Sequence, residues 1–566
     1  MSFPRLTIGL VIFLSSCASL GVHPDGLREY ALMSPKSVSL GRSEAYYDYL
    51  SAQIDLRANQ VGSAVEAYNR ALKRDPHNPV LLTELASLYV RQGKIENALR
   101  LVLEATAADP ENEQGFMLLG QIYAGTGQIG PAIDTYERVI AIDPENESAY
   151  LLLGALYAQE GRFGKAMEVF DGLRKLLPDN PVALYYKARV FLDIKFYDQA
   201  EKIYREVLAM DPSFENALLD LAYIYEVTDR NREAEKTYQR ILAFNSGHVQ
   251  ARTRLGNLHM REGKSEAALQ DFEQLLHVNR KDMESRLKIG IIHLQQKNYE
   301  EAINAFRHLL QEQPQYDQAL YYLASTYDDK EDEDQAILSF RLIAPSSPLW
   351  MTAQIRLALI FSKMKDYESG VRVLQDAAAK QPDAPDPYLY LAAMYEEQKR
   401  FDEALRMLDK GLDLVPQDPD LLFRRGVILD KLDRKQEAVE AMRKILAVEP
   451  KNANALNFIG YTYAEMGINL AEAKQLIKAA LEVEPEDGYI MDSLAWVHYK
   501  QGQYKKALEI IQEAIKLVPK DPVIHEHLGD IYKALGKKHK ALDAYRKAIE
   551  YQHTEPDKIR SKIEML

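Results

Sequence analysis

The chain of 566 residues has a single cysteine, Cys17, so no disulfide can form within it. It also lacks a basic excess: 70 lysines and arginines against 84 aspartates and glutamates leave a formal charge of −14. Tracking a phosphate backbone needs a basic stripe, so nucleic-acid binding is not expected. The apolar run near the amino end, Leu6–Leu14, is too short to cross a bilayer. No P-loop, HExxH or nucleophile-elbow sequence occurs. The carboxylates are plentiful but spread along the chain as on solvated helical faces. These absences leave no ground in the sequence for an enzyme, a metal or a cofactor.

What the chain has instead is repetition. In Glu147–Pro178, ESAYLLLGALYAQEGRFGKAMEVFDGLRKLLP, apolar residues recur every three or four positions from Tyr150 to Tyr157. That spacing predicts one helix. Gly161 closes it, a second periodic run spans Ala166 to Leu177, and Pro178 stops it. One such pair cannot cover its own apolar face and must stack on copies of itself. Copies begin at Pro79, Glu113, Glu147, Pro181, Glu215, Val249, Met283, Asp317, Met351, Pro385, Pro419 and Ala453, 34 residues apart. One extra residue near Ile468–Leu470 moves the last two starts to Gly488 and Pro522, and a less regular first unit covers Ala45–Pro76. This makes 15 units, ending near His553.

Two columns test the frame. The eighth residue is Gly or Ala in every unit, from Ala52 through Gly154 and Gly290 to Gly529. The twentieth is Ala in every unit but one, where Gly370 stands. Small residues there let the two helices of a unit approach closely, and a larger side chain would overpack the crossing.

The pattern resembles the tetratricopeptide repeat (TPR), whose large fourth residue, Leu at seven, Tyr at eleven, aromatic at twenty-four and Pro at thirty-two are Tyr150, Leu153, Tyr157, Phe170 and Pro178 here. The resemblance covers about nine-tenths of the chain and implies an all-α fold, a right-handed α-solenoid superhelix of about 15 helix-turn-helix repeats. Ser246 and Arg280 replace the terminal proline in two units, where helix ends are expected to run on or fray. Acidic Asp328–Asp334 and Pro345-Ser346-Ser347-Pro348 disturb the ninth unit, the expected joint between arrays over 44–348 and 349–553. Residues 554–566 are expected to cap the last pair through Ile559, Ile563 and Leu566.

In TPR proteins the second, fifth, ninth and twelfth positions line the concave side. Carried over, they give Tyr185, Arg189, Leu219, Tyr223, Leu287, Ile291, Tyr321, Ile355, Leu389, Phe423, Tyr461, Tyr489, Trp496 and Tyr499 as partner-binding candidates, with Leu151 and Leu359 beside them. Large exposed apolar strips mark binding surfaces, and Tyr, Trp and Arg are common hot spots. The alternative is that these side chains pack on neighbouring helices. No three successive units carry the Lys and Asn set of a carboxylate clamp.

The amino end, MSFPRLTIGLVIFLSSCAS, is similar to the signal peptides of bacterial lipoproteins, with Leu14-Ser15-Ser16-Cys17 as the lipobox. That resemblance implies cleavage after residue 16 and acylation of Cys17. It also implies a tether over 17–43 and, since Ala18 and Ser19 are not aspartate, the periplasmic face of the outer membrane. An ordinary secretory signal with a chance cysteine is the alternative. Ala453–Lys500 is similar to Gram-negative TPR lipoproteins, one of which tethers a carboxyl-terminal processing protease and presents cell-wall hydrolases to it. The implied function is a non-catalytic, lipid-anchored scaffold for periplasmic proteins. A part in exopolysaccharide assembly or export is the alternative, with an enzyme a third reading of little support. The oligomeric state is not legible.

Two short patterns read as structure. Gly125-Thr-Gly-Gln-Ile-Gly130 satisfies GxGxxG but lies between two helices, where turns favour glycine, rather than after a strand. His525-Glu526-His527 places its histidines two apart, not the four that one helix face needs for metal, and reads as solvated surface.

Overall fold

A computed structural model describes residues 40–566, with side chains from Ser43 onward. The leader, Cys17 and the tether as far as residue 39 lie outside the described residues. The described residues form 31 α-helices and no strand. Helices pair in the expected frame: first helices begin at Pro79, Glu113, Glu147, Glu215, Val249, Met283, Asp317, Pro419, Ala453, Gly488 and Pro522, and within one residue of the expected start at Val182, Trp350 and Asp386. Side chains of Asn78, Asn112, Asn146, Asp418, Asn452, Asp487 and Asp521 accept hydrogen bonds from backbone amides at these starts. Each such cap contributes about 1 kcal/mol.

The chain divides into two compact units, one ending at Lys281 and one running from Asp282 to Leu566. The first holds the repeats up to the seventh, the second the eighth to fifteenth and a closing helix, Pro556–Glu564. Within each unit a helix packs on its hairpin partner and on the next hairpin. The solenoid reading of the sequence therefore holds inside each unit.

The small columns act as the spacing requires. A Cβ built on Gly120 would lie 2.7 Å from the Tyr136 ring, and one on Gly256 2.9 Å from Phe272. Gly154, Gly290 and Gly529 face Phe170, Phe306 and Tyr545 in the same way. The ring at position 24 thus occupies the space that the eighth residue leaves, and Phe170, Phe306 and Tyr545 are buried. Adjacent repeats are tied by a second pair, twenty residues apart. Arg205 donates to the Tyr225 hydroxyl at 3.2 Å, Arg307 to Tyr327 at 2.7 Å and Arg443 to Tyr463 at 3.1 Å, while Tyr157 donates to Glu137 at 2.5 Å. The tyrosine at position 11 therefore packs within its hairpin and reaches back to the hairpin before it.

Between the helices of each hairpin the chain turns through a left-handed residue. Gly93, Gly127, Gly161, Gly263, Gly502 and Gly536 serve there, but Lys195, Lys297, Lys365 and Lys399 adopt the same positive φ. Gly127, at φ +75°, belongs to the GxGxxG pattern, which is a turn as its setting implied. The extra residue near 468 is absorbed by two left-handed positions, Gly467 and Asn469.

Two local expectations meet a different outcome. The helices preceding Ser246 and Arg280 end at Phe244 and Val278, as elsewhere, and do not run on. The Asn245 side chain donates to Glu215 of the same repeat's first helix at 3.0 Å, and Asn279 accepts from the backbone of Lys281 at 3.1 Å, so polar side-chain bonds fix the chain at these ends without proline. The irregular ninth repeat has a shortened second helix, Glu333–Arg341, but lies inside the second unit. Phe340, Ile343, Trp350 and Leu357 join one buried cluster across it. In the tail, Ile559 is fully buried, and Ile563 and Leu566 pack beside Tyr532 and Tyr545.

Replacing Gly154 with Val should destabilise the first unit by about 1–3 kcal/mol, because the side chain must enter the Phe170 ring. A lower denaturation midpoint checks this. Lys195→Gly should act oppositely, raising stability by about 0.5–1 kcal/mol. Left-handed strain of about 1–2 kcal/mol is relieved, and the added entropy of the unfolded glycine offsets part of it.

Candidate functional site

In the first unit the sequence-predicted concave residues come together on the fifth and sixth repeats. Tyr185 and Leu219 are buried, while Arg189 and Tyr223 are half-buried. Arg189 donates to the Tyr185 hydroxyl at 3.1 Å and lies 3.5 Å from Asp220. Tyr204 donates to Asp220 at 2.9 Å. Burial raises the Asp220 carboxyl above its ordinary range, against the opposing pull of Arg189. Arg254 of the next repeat stands over the Tyr223 ring at 5.3 Å and reaches Glu226 at 3.9 Å. The side chains face one another across the junction, which holds them in place and limits how much of each meets solvent.

A cavity of about 540 Å³ opens nearby, between the sixth and seventh repeats. Arg252, His259 and Asp271 stand where the fourth repeat carries Tyr150, Tyr157 and Val169. His259 lies 2.9 Å from Asp271 and 3.5 Å from Glu235, and Lys264 bonds Glu235 at 2.7 Å. A histidine ring in place of tyrosine leaves the gap, and the charges around it satisfy one another.

In the second unit Leu287 is buried, and Ile291, Tyr321, Ile355, Leu389 and Phe423 are half-buried against the core clusters. Tyr321 meets Tyr322 and Phe340 edge-on at 5.8 and 5.7 Å. Only Leu359 and Tyr489 of the candidate column are well exposed, at 45% and 55%. Leu151, in the first unit, is half-buried beside the fourth-repeat core.

The densest arrangement lies on the last three repeats. Trp496 stacks on Tyr499 at 4.6 Å and on the His527 ring at 4.1 Å, and Tyr461 stands 6.3 Å from His527. Trp496 donates to Glu465, and Lys500 sits over the indole at 5.0 Å. His527 is held 2.8 Å from Asp492 of the preceding repeat. Lys562 of the closing helix bonds Glu526 at 2.6 Å and Asp530 at 2.5 Å. Burial alone would lower the His527 pKa, but Asp492 outweighs it and the net shift is upward. For Glu526 burial acts upward and Lys562 outweighs it, so its carboxyl is held low.

His525-Glu526-His527 is therefore not solvated surface: all three residues are buried. The sequence reading missed it because His527 pairs with a residue 35 positions earlier, in another repeat. Glu465, Asp492 and Asp530 were missed for the same reason. Among the described residues no group of three or more His, Cys, Asp or Glu side chains is placed to hold a metal ion. No described helix is long and apolar enough to cross a membrane. What the arrangement offers chemically is aromatic rings stacked beside paired carboxylates and cations, buried or half-buried, so that they join the last three repeats to one another.

Known proteins carry the same repeat. Two tetratricopeptide repeat families match residues 55–122, 196–258 and 362–422, and residues 253–317, 287–349 and 395–455. A third family, anaphase-promoting complex, cyclosome, subunit 3, matches 125–207 and 468–548. A TPR repeat-containing protein of Pseudomonas aeruginosa is 44% identical over 59 residues, a tenth of this chain and a tenth of that protein. Among solved structures, a tetratricopeptide repeat protein from Parabacteroides merdae is similar at 19% identity with a TM-score of 0.37, covering 43% of this chain and 96% of its own. The APC/C hetero-tetramer Cut9-Hcn1 is similar at 16% identity with a TM-score of 0.31, covering 86% and 96%.

Asp492→Asn tests the buried pair. His527 has a folded pKa above its unfolded value of about 6.5. Its contribution to stability is thus full below that pH and is lost as pH rises through the folded pKa. The wild type should lose denaturation free energy above pH about 6.5, and the variant should lose less. Chemical denaturation at pH 6 and pH 9 measures it.

Proposed function

We propose that this tetratricopeptide repeat protein is a lipid-anchored scaffold that gathers other proteins at the periplasmic face of the outer membrane. Tetratricopeptide arrays are protein–protein interaction modules, and that much follows from the repeats themselves. The observation that carries the reading is that helical hairpins occupy the described residues from 40 to 566, leaving no other fold among them. A chain so built presents surface, and binding is what such a surface does best.

The address rests on Leu14-Ser15-Ser16-Cys17, the lipobox-like sequence. Cleavage before Cys17 and its acylation would leave a leash of about two dozen residues before the first helix. More than one acyl chain holds a protein far more firmly than one. The wording of Ala453–Lys500 supports a processing protease or a cell-wall hydrolase as client. The same segment supplies the exposed Tyr489 and the half-buried Tyr499, aromatic side chains of the kind that dominate interfaces.

Cys17→Ala should move the protein from the outer-membrane fraction to the soluble periplasm and abolish labelling by fatty acid. Retention in the membrane without label would overturn the anchor. Tyr489→Ala combined with Leu359→Asp, both at exposed positions, should reduce capture of the processing protease at least tenfold while leaving stability within about 0.5 kcal/mol. Unchanged capture would remove the concave side from the binding surface.

A further inference from the structure

The junction of the thirteenth and fourteenth repeats reverses a charge pattern seen elsewhere in the array. At other junctions an arginine at the twenty-fifth place of one repeat meets a tyrosine at the eleventh place of the next. Arg205, Arg307 and Arg443 meet Tyr225, Tyr327 and Tyr463 in this way. Arg443 also bonds Glu472, at the nineteenth place of the next repeat, at 2.6 Å. One repeat on, the same three places hold Lys478, His498 and Lys506. The twenty-first place carries Glu201 and Glu235 in the fifth and sixth repeats, each bonded to a cation of the following repeat, and here it carries Lys474. His498 is buried, with its Nδ1 2.7 Å from Gln503. Burial, and then the charges of Lys474, Lys506 and Lys478, hold its pKa below the ordinary value against the bond to Gln503. Lys474 is lowered in the same way, by burial and then by Lys506 and Lys478. The reversal continues at the amino ends of the second helices, where the helix dipole favours negative charge. In repeats five to thirteen each second helix has an acidic residue in its first turn, from Asp198 to Glu472. The second helices of the last two repeats, Tyr504–Leu517 and Lys538–Glu550, have none there and carry Lys505, Lys506, Lys538 and Lys540 instead.

We infer that these lysines form a docking surface for an acidic segment of a partner protein, whose carboxylates fill the role that Glu472 plays against Arg443. Six lysines gather on three successive second helices of a chain whose net charge is −14. None of the six has an ion-pair partner among the described residues. An acidic segment brings the counter-charges that the junction lacks, and the amino ends of two helices favour it further. Glu482, Glu509 and Asp543, one turn further along the same helices, are exposed. A flat anionic surface would meet these carboxylates as well, whereas a single segment crossing the helices can follow the lysines and avoid them. The inference rests on the reading of the array as protein-binding, but it involves neither the processing protease nor Cys17.

Fluorescence anisotropy of a labelled oligoglutamate peptide against the full-length Cys17→Ala chain tests it, without any client, so that the surface and the proposed client can fail separately. The peptide should bind and should weaken with added salt. Lys474→Glu combined with Lys506→Glu should weaken binding roughly tenfold or more. The same pair should leave the denaturation midpoint unchanged or higher, because like charges are separated and an acid returns to a helix start. Lys202→Glu combined with Lys236→Glu, at exposed lysines of the fifth and sixth repeats, changes the net charge equally and should alter binding by no more than about twofold. Equal loss in both pairs would overturn the inference by making net charge the cause, and so would no binding at all. Tighter binding to phosphatidylglycerol vesicles than to the peptide, lost in Lys474→Glu/Lys506→Glu, would overturn it in favour of a membrane surface.

Discussion

The close crossing of two helices inside each hairpin sets the terms for everything else. It requires a Gly or Ala at the eighth position, so that a large apolar side chain at the twenty-fourth can fill the gap, as Phe170 fills the space beside Gly154 and Met442 that beside Gly426. Interiors pack at crystal-like density, so neither partner can grow without moving the other. Once this distance is fixed, the outer faces of the hairpin are fixed too. The tyrosine at position 11 then stands where Arg205 reaches Tyr225, or Arg307 reaches Tyr327, from the repeat before. A local steric rule thus propagates into the stacking of neighbours.

Much of this was legible because it is repeated. Fifteen occurrences of one spacing make the two small columns visible without any structure, and they placed the first-helix starts of the second to fifteenth repeats to within one residue, whereas the first repeat's helix begins at Leu40, five residues before Ala45. The first-helix turn was legible wherever glycine marks it, but Lys195 and Lys297 adopt the same left-handed backbone with no compositional sign. Proline was overvalued as a stop signal. The helices before Ser246 and Arg280 end in register, and Asn245 and Asn279 supply polar side-chain bonds there.

For the candidate partner-binding residues, position was legible in the sequence but depth was not. The family frame named the positions, and the structure brings Tyr185 to Arg189 and Trp496 to Tyr499. Frame positions say nothing of depth, however. Tyr185, Leu219, Leu287 and Trp496 are buried, whereas Tyr489 is open, because burial depends on what the neighbouring repeat presents. His527 with Asp492, and Glu526 with Lys562, escaped notice for a related reason. Each pair joins residues more than thirty positions apart, and each half alone looks like an ordinary surface charge.

If tight crossings are what hold the arrays, protection from exchange must follow the repeat. Native-state hydrogen exchange across the wild-type chain measures this directly. The slowest amides should recur every 34 residues, clustered around the eighth and twentieth positions of each hairpin and weakest at the turns. A protected block that ignores the repeat, or uniform protection with no 34-residue rhythm, would contradict the account.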